Sequence, residues 1–184
     1  GQGSSGDTDV IFLTGVNQKH SGVELETNYM VNDMLDVMFV ASFGNWKFNG
    51  DANGNYQETE YNSDGQAIGY TTTEYAYALD GLYVGDMPQT SYVLGVTLKP
   101  IKDLRIQAIH KMYDKNYSDW SPSAREFDGT NDDADRAQVW EAPSYNRLDL
   151  HMSYKLPKVK DLDMMLTANI FNVLDEVYVQ DAVD

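Results

Sequence analysis

The chain has 184 residues and a mass of 20.7 kDa, the size of one ordinary domain or of a piece of a larger one. Lys and Arg total 13 against 29 Asp and Glu, so the net charge of −16 excludes the basic stripe that nucleic acid requires. There is no cysteine, which excludes disulfides, thiolate nucleophiles and iron–sulfur clusters. The longest uncharged stretches, Val37 to Trp46 and Met87 to Leu98, fall short of the ~18 apolar residues of a spanning helix.

The dominant hydrophobic period is two. From Gly22 to Val31, Val23, Leu25, Thr27, Tyr29 and Val31 share one side, and Glu24, Glu26 and Asn28 the other. Leu35, Val37, Phe39, Ala41 and Phe43 alternate with Asp36, Met38, Val40 and Ser42. Tyr92, Leu94, Val96 and Leu98 alternate with Ser91, Val93, Gly95 and Thr97. Leu104, Ile106 and Ala108 alternate with Arg105 and Gln107. The strictest run is Tyr145 to Leu156, where Leu148, Leu150, Met152 and Tyr154 oppose Arg147, Asp149, His151, Ser153 and Lys155. Last, Leu162, Met164, Leu166, Ala168 and Ile170 alternate with Asp163, Met165, Thr167 and Asn169. Such alternation marks strands with one apolar and one polar face, and no amphipathic helix competes with it.

The connections are unequal. Val31 to Met34, Lys99 to Asp103 and Pro157 to Asp161 are short and carry turn residues. Residues 49 to about 88 and 116 to about 143 are long and rich in Asp, Asn, Gly, Thr and Tyr. Short and long alternate along the chain, so an up-and-down sheet gathers the turns at one end and the loops at the other. A transmembrane β-barrel has that asymmetry: short periplasmic turns, long extracellular loops, and strands apolar outside and polar inside. The expected fold is therefore all-β, an antiparallel up-and-down barrel segment of about six strands. Tyr29, Trp46, Tyr92, Tyr113, Tyr117, Tyr154 and Tyr178 lie near strand ends, where interfacial girdles form.

Three segments resemble one family. Gly15 to Glu26 carries a Gly-Val-Glu-Leu core, Ala142 to Tyr154 has a Pro-x-Tyr…Asp-Leu pattern, and Asn169 to Tyr178 reads Asn-Ile-Phe-Asn…Tyr. Asp86, Met87 and Pro88 add a strand-entry pattern. In this order they resemble the late barrel strands of TonB-dependent outer-membrane receptors. The resemblance implies that residues 1–184 are a partial barrel domain, without the plug domain and the aromatic-ended last strand of the family's barrels of about 22 strands. It implies TonB-energised uptake of a scarce nutrient (an iron–siderophore, a cobalamin or a glycan) across the outer membrane of a Gram-negative bacterium. The implied partners are the TonB complex through the plug, outer-membrane lipid and lipopolysaccharide, and a small-molecule or glycan ligand. No enzymatic activity and no cofactor are expected.

The candidate chemistry is thin. No zinc-protease, nucleophile-elbow, phosphate-loop or dinucleotide motif occurs. Glu24, Glu26, Arg105, Arg147 and Asp149 are expected to line the lumen and meet the plug. His151 is expected on the same polar face as an ordinary lumen residue. Strict alternation puts His110 on the apolar face, at the interface or at a register slip. Tyr56, Tyr61, Trp120 and Trp140 are the loop aromatics suited to siderophore or sugar contact. Asn49, Asp51, Asn53 and Glu60 have a calcium-loop-like spacing, in a segment that reads equally as a polar extracellular loop. Asp128 to Asp135 is an acidic run, either a solvated tip or a divalent-cation site bridging to lipopolysaccharide. Two other readings stay open: a complete small outer-membrane barrel of structural or adhesive role, and a soluble β-barrel or sandwich that binds a ligand inside.

Overall fold

The computed structural model describes residues 11–127 and 135–184. The Gly1 to Gly6 start and most of the acidic run at 128–134 lie outside the described residues. In chain order the elements are β1 (Ile11–Thr14), β2 (Gln18–Asn32), β3 (Leu35–Phe48), β4 (Ala52–Tyr61), β5 (Ala67–Tyr77), β6 (Thr90–Leu98) and β7 (Leu104–Asp114). They continue with β8 (Asn116–Tyr117), α1 (Pro122–Arg125), β9 (Glu126–Phe127), β10 (Glu141–Ala142), β11 (Tyr145–Lys155) and β12 (Met165–Ile170).

The expected all-β fold is present. The six long-range strands form one antiparallel sheet in the order β12-β11-β7-β6-β3-β2, open at β2 and β12. Cross-strand partners share a face. Following the ladder, Leu25, Ala41, Tyr92, Met112 and Asn146 fall on one face, and Leu94, His110 and Leu148 continue it. Glu24, Ser42, Ser91, Tyr113 and Tyr145 fall on the other. The β6–β7–β11 ladders run without a shift, so His110 does sit among Leu94 and Leu148 on the apolar face.

The turns close as their residues dictate. Asn32 Oδ1 accepts the Met34 amide at 2.9 Å, an Asx-turn between β2 and β3. Asp103 takes a left-handed φ of 65° just before β7. The turn before β12 is longer than the periodicity suggested. Val159 and Leu162 pair with each other, and Leu156 N donates to Met164 O, so Leu162 and Met164 belong to the turn and not to the strand. Three other strands outrun their apolar alternation: β2 begins at Gln18, β3 ends at Phe48 and β7 at Asp114.

The long connection after β3 is not irregular, as expected, but a hairpin of β4 and β5. Both of its outer halves are polar, so it leaves no hydrophobic period to read. Asn62 makes its turn, accepting the amides of Asp64 (3.0 Å) and Gln66 (2.8 Å), with Gly65 at φ 74°. β1 pairs with β4 and β9 with β5, giving a second sheet beyond the loop end of the first.

Burial is inverted relative to a water-soluble sheet. On the inner strands of the large sheet Leu94 is 44% exposed and Leu98 47%, whereas Thr97 is 4% and Asp149 1% exposed. The compact apolar cluster lies instead in the loop layer. It joins Phe48, Ala52, Tyr77, Leu79, Leu82, Tyr117 and Val139, with Tyr75, Tyr83, Val84 and Trp120 packed around it.

Candidate functional site

The polar face is built from alternate residues of all six strands, and its densest part lies on β7 and β11. Asp149 Oδ2 accepts Lys111 Nζ at 2.9 Å and lies 3.5 Å from Arg147 Nη2. Its Oδ1 accepts the amide of Asn172 at 2.9 Å. Both oxygens of this buried carboxylate thus meet a cation or an N–H. Asn172 has a left-handed φ of 51°, and its own side chain bonds the backbone of Glu176 in both directions. The segment after β12 is therefore tied to the polar face. Arg147 Nη1 donates to the Tyr178 hydroxyl at 3.3 Å, and the Tyr178 and Tyr145 rings stack 4.3 Å apart at 7°. Tyr113 extends this aromatic column, 5.0 Å from Tyr145.

Of the expected lumen residues, the fold brings Arg147 and Asp149 together and leaves the others apart. Arg105 stands opposite Ser153 at the turn end. Glu24 and Glu26 are exposed on β2, four strands from β11, or roughly 19 Å at the usual strand spacing. His151 shares a short contact of 2.8 Å with Asn169 Oδ1 and stands edge-on to Phe171.

The loop aromatics do not converge. Trp120 is a packing residue of the loop layer, its ring against Phe48 (6.4 Å) and Tyr77 (5.7 Å). Tyr61 is exposed near the tip of the β4–β5 hairpin and Tyr56 is half-buried lower down it. Trp140 is exposed, and its amide donates to Asp184 Oδ2 at 3.0 Å. The calcium-like set is also drawn apart. Asn53 and Glu60 lie on one extended strand, about 23 Å apart at ~3.3 Å per residue. Asp51 holds Arg136 in a two-pronged ion pair (3.1 and 2.9 Å) and accepts the amides of Leu79 and Asp80, each at 3.0 Å. The Arg136 bond, which outweighs the opposing desolvation, keeps its pKa below the usual carboxylate value. Among the described residues no group of three acidic, histidine or cysteine side chains is placed to hold a metal ion.

Several girdle assignments need correction. Trp46, Tyr113 and Tyr178 stand on the polar face, and Tyr117 is buried in the loop cluster. Trp46, Tyr113 and Tyr117 do lie near strand ends, but not on the apolar face, and Tyr178 lies in the irregular segment after β12. On the apolar face the aromatics are Phe43 and Tyr92 at the loop end, in edge contact at 5.4 Å, Tyr29 and Tyr154 at the turn end, and Phe39 between them beside Leu94.

Sequence reasoning missed Gln89 and Arg125, both buried polar hubs. Gln89 fastens the end of β6 to β3 through its side chain. Arg125 donates to the carbonyls of Asp135 (3.1 Å) and Ala137 (2.7 Å) and meets Asp184 Oδ2 at 3.4 Å. Nothing in the local sequence separates these two from the surface polar residues beside them.

The family model described as TonB dependent receptor-like, beta-barrel matches residues 2–173. No curated protein and no solved structure is matched. The matched span takes in every strand of the two larger sheets and of the short β8–β10 pair. The chain belongs to the TonB-dependent receptor-like β-barrel family.

Proposed function

We propose that the chain forms part of the barrel wall of an outer-membrane transport receptor, with its apolar face toward hydrocarbon and its polar face toward the channel. The inverted burial carries this reading: the sheet exposes leucines and seals Asp149, and among the described residues the compact apolar cluster lies in the loops. The strand lengths support it. β6 has 9 residues and β7 and β11 have 11, against the ~9–11 that cross a bilayer with tilt. The tyrosines of the apolar face lie at its two ends, Tyr92 at one and Tyr29 and Tyr154 at the other, the arrangement of interfacial girdles.

In this reading the chain does no covalent chemistry. Glu24, Glu26, Arg105, Arg147 and Asp149 face the plug, and the loop layer with Tyr56, Tyr61, Trp120 and Trp140 forms the extracellular surface. Energy comes from the TonB complex acting through the plug. The cargo is a scarce nutrient: an iron–siderophore, a cobalamin or a glycan. The setting is the outer membrane of a Gram-negative bacterium, with lipid and lipopolysaccharide around the barrel.

The chain has no cysteine, so single cysteines report its faces cleanly. In isolated outer membranes, cysteines at Leu94 and Leu150 should react with a lipid-soluble maleimide and resist a charged one. Cysteines at Asn28 and Ser153, on the polar face, should show the reverse. Equal reaction of all four with the charged reagent would remove the membrane assignment.

A further inference from the structure

We propose that Lys19 and Lys47, at the loop end of the apolar face, form a site for the phosphate of an anionic lipid headgroup. This rests on the transport reading, because it takes that face as lipid-facing and its loop end as the outer leaflet. Register sets the two lysines directly opposite each other on β2 and β3. Side chains so paired have Cβ atoms about 4.5–5.5 Å apart, and like charges there repel. The ladder runs unshifted from Gln18 opposite Phe48 to Met30 opposite Asp36, so the fold keeps this pair in spite of its repulsion.

The fold supplies no counter-charge. Among the described residues neither ammonium has a carboxylate within ion-pair distance. In a chain with 29 acidic residues against 13 basic ones, that is an anomaly. The other cations at this end are engaged, Lys111 and Arg147 by Asp149, Arg125 by Asp184 and Arg136 by Asp51, with Lys115 left in the bend after β7. Lys47 is held by an aromatic ring instead. Its Nζ lies 4.4 Å from the centre of Tyr83, and Tyr83 stacks on Tyr117 at 4.2 Å and 8°. Tyr83 pairs with Lys47 on the side away from Lys19, and its amide donates to Gln138 Oε1 at 2.9 Å. One ammonium is thus positioned before any ligand arrives, with N–H donors to spare.

The order of side chains along this face identifies the source of the anion. Leu25 and Ala41 are followed by Val23 and Phe43, then by Ser21 and Asn45, then by the two lysines. That is the order of hydrocarbon, interface and headgroup. Lys47 lies four residues beyond Phe43, about 13 Å along the strand and about 10 Å in height at the usual barrel tilt. The headgroup layer is about 5–8 Å deep on each side, and a lysine stem leans back across the difference. A headgroup phosphate held here lets its acyl chains run down over Phe43 and Leu25. A free anion uses none of that surface, and a neutral headgroup leaves the lysine repulsion unrelieved.

The test uses the receptor produced from its whole reading frame, in non-ionic detergent, with its folded state checked by heat-modifiable migration. Bisphosphorylated lipid A is titrated and its adducts are followed by native mass spectrometry, with phosphate-free lipid A and inorganic phosphate as comparison probes. The parent should hold the bisphosphorylated lipid and not the phosphate-free one. Lys19→Gln combined with Lys47→Gln should weaken binding by about 30-fold, the joint effect of two lysines at an anionic surface. Lys19→Arg combined with Lys47→Arg should retain it. Lys158→Gln combined with Lys160→Gln removes the same charge at the turn end and should leave it unchanged. Without lipid, the Lys19 and Lys47 glutamine variant should melt no lower than the parent, because a like-charge pair is gone. With lipid, the parent's melting temperature should rise by more than the variant's. Absence of binding by the parent, equal binding by the parent and that variant, or equal weakening by the turn-end variant would overturn the proposal. So would displacement of the lipid by inorganic phosphate at matched concentration, which would make the site one for a free anion. None of these results touches the transport reading, which fails only if the cysteine-labelling pattern fails.

Discussion

Gln89 offers the sharpest test of how the loop layer is joined to the sheet. It is 2% exposed and sits just before β6, where its side chain acts as a surrogate peptide group. Oε1 accepts the Trp46 amide and Nε2 donates to the Trp46 carbonyl, both at 2.9 Å, while the Gln89 backbone carbonyl accepts the Gly44 amide. Gln89→Leu keeps the volume and removes both bonds to Trp46, together with a longer one from Nε2 to the Val84 carbonyl at 3.4 Å. The Trp46 carbonyl retains the Val84 amide at 3.1 Å, but the Trp46 amide loses its acceptor. One orphaned buried N–H costs about 1–3 kcal/mol and the second lost bond about 1 kcal/mol, so about 2–4 kcal/mol in all. Gln89→Glu should cost more, because a carboxylate then faces the Trp46 carbonyl in a buried site. Amide hydrogen exchange of the folded receptor is the direct assay. Protection at Trp46 and Val84 should fall by roughly 30-fold or more in Gln89→Leu, the equivalent of about 2 kcal/mol. Protection within threefold of the parent at both amides would refute the reasoning.

Four further outcomes are expected. Leu94→Arg, mid-strand on the apolar face, should destabilise the folded barrel by about 2–4 kcal/mol in urea titrations in lipid, whereas Ser91→Arg on the polar face should change little. Asp149→Leu strands two cations and the Asn172 amide and should cost about 3–5 kcal/mol in the same titration. Asp51 has a depressed pKa in the fold, so its ion pair with Arg136 stabilises the loops fully above the unfolded value of about 3.9. That contribution is lost as pH falls through the lower folded value, and Arg136→Leu should blunt the acid-induced rise in loop proteolysis. Asp86 behaves oppositely: burial first, then Asp119 and Asp181, raise its pKa. The fold then binds the extra proton between the unfolded and folded values, so stability falls as pH rises through that window. Asp86→Asn should protect the loops from proteolysis at neutral pH and make no difference below about pH 3.9.

The period-two pattern was legible wherever one strand face is apolar and the other polar. Arg147 to Lys155 shows this best, with no residue out of phase, and the run appears in the structure as β11 at nearly the predicted bounds. The pattern failed where both faces are wet. The β4–β5 hairpin has no alternation because neither side of its outer half meets anything apolar. It failed again at Leu162 and Met164, where two residues of the right character fall in a turn. Of the candidate residues, Arg147 and Asp149 were found as polar-face neighbours because alternation alone places them there. Their bond to Asn172 and Tyr178 was not legible, since it depends on how the chain returns after β12.

Chemistry written into the order of residues thus determined the strand faces, the segregation of short turns from long loops, and the family. The first two follow from local rules, since side chains alternate along a strand and Asn, Asp, Gly and Pro end pairing; the family came from the resemblance of a few motif segments. Tertiary structure alone decided which groups meet across distance. It placed the apolar cluster in the loops, made Gln89 a clasp, turned Trp120 inward, and set Lys19 directly opposite Lys47. The physical reason is register: which strand lies beside which, and at what offset, is fixed by the summed fit of the whole ladder and leaves no mark on any single segment.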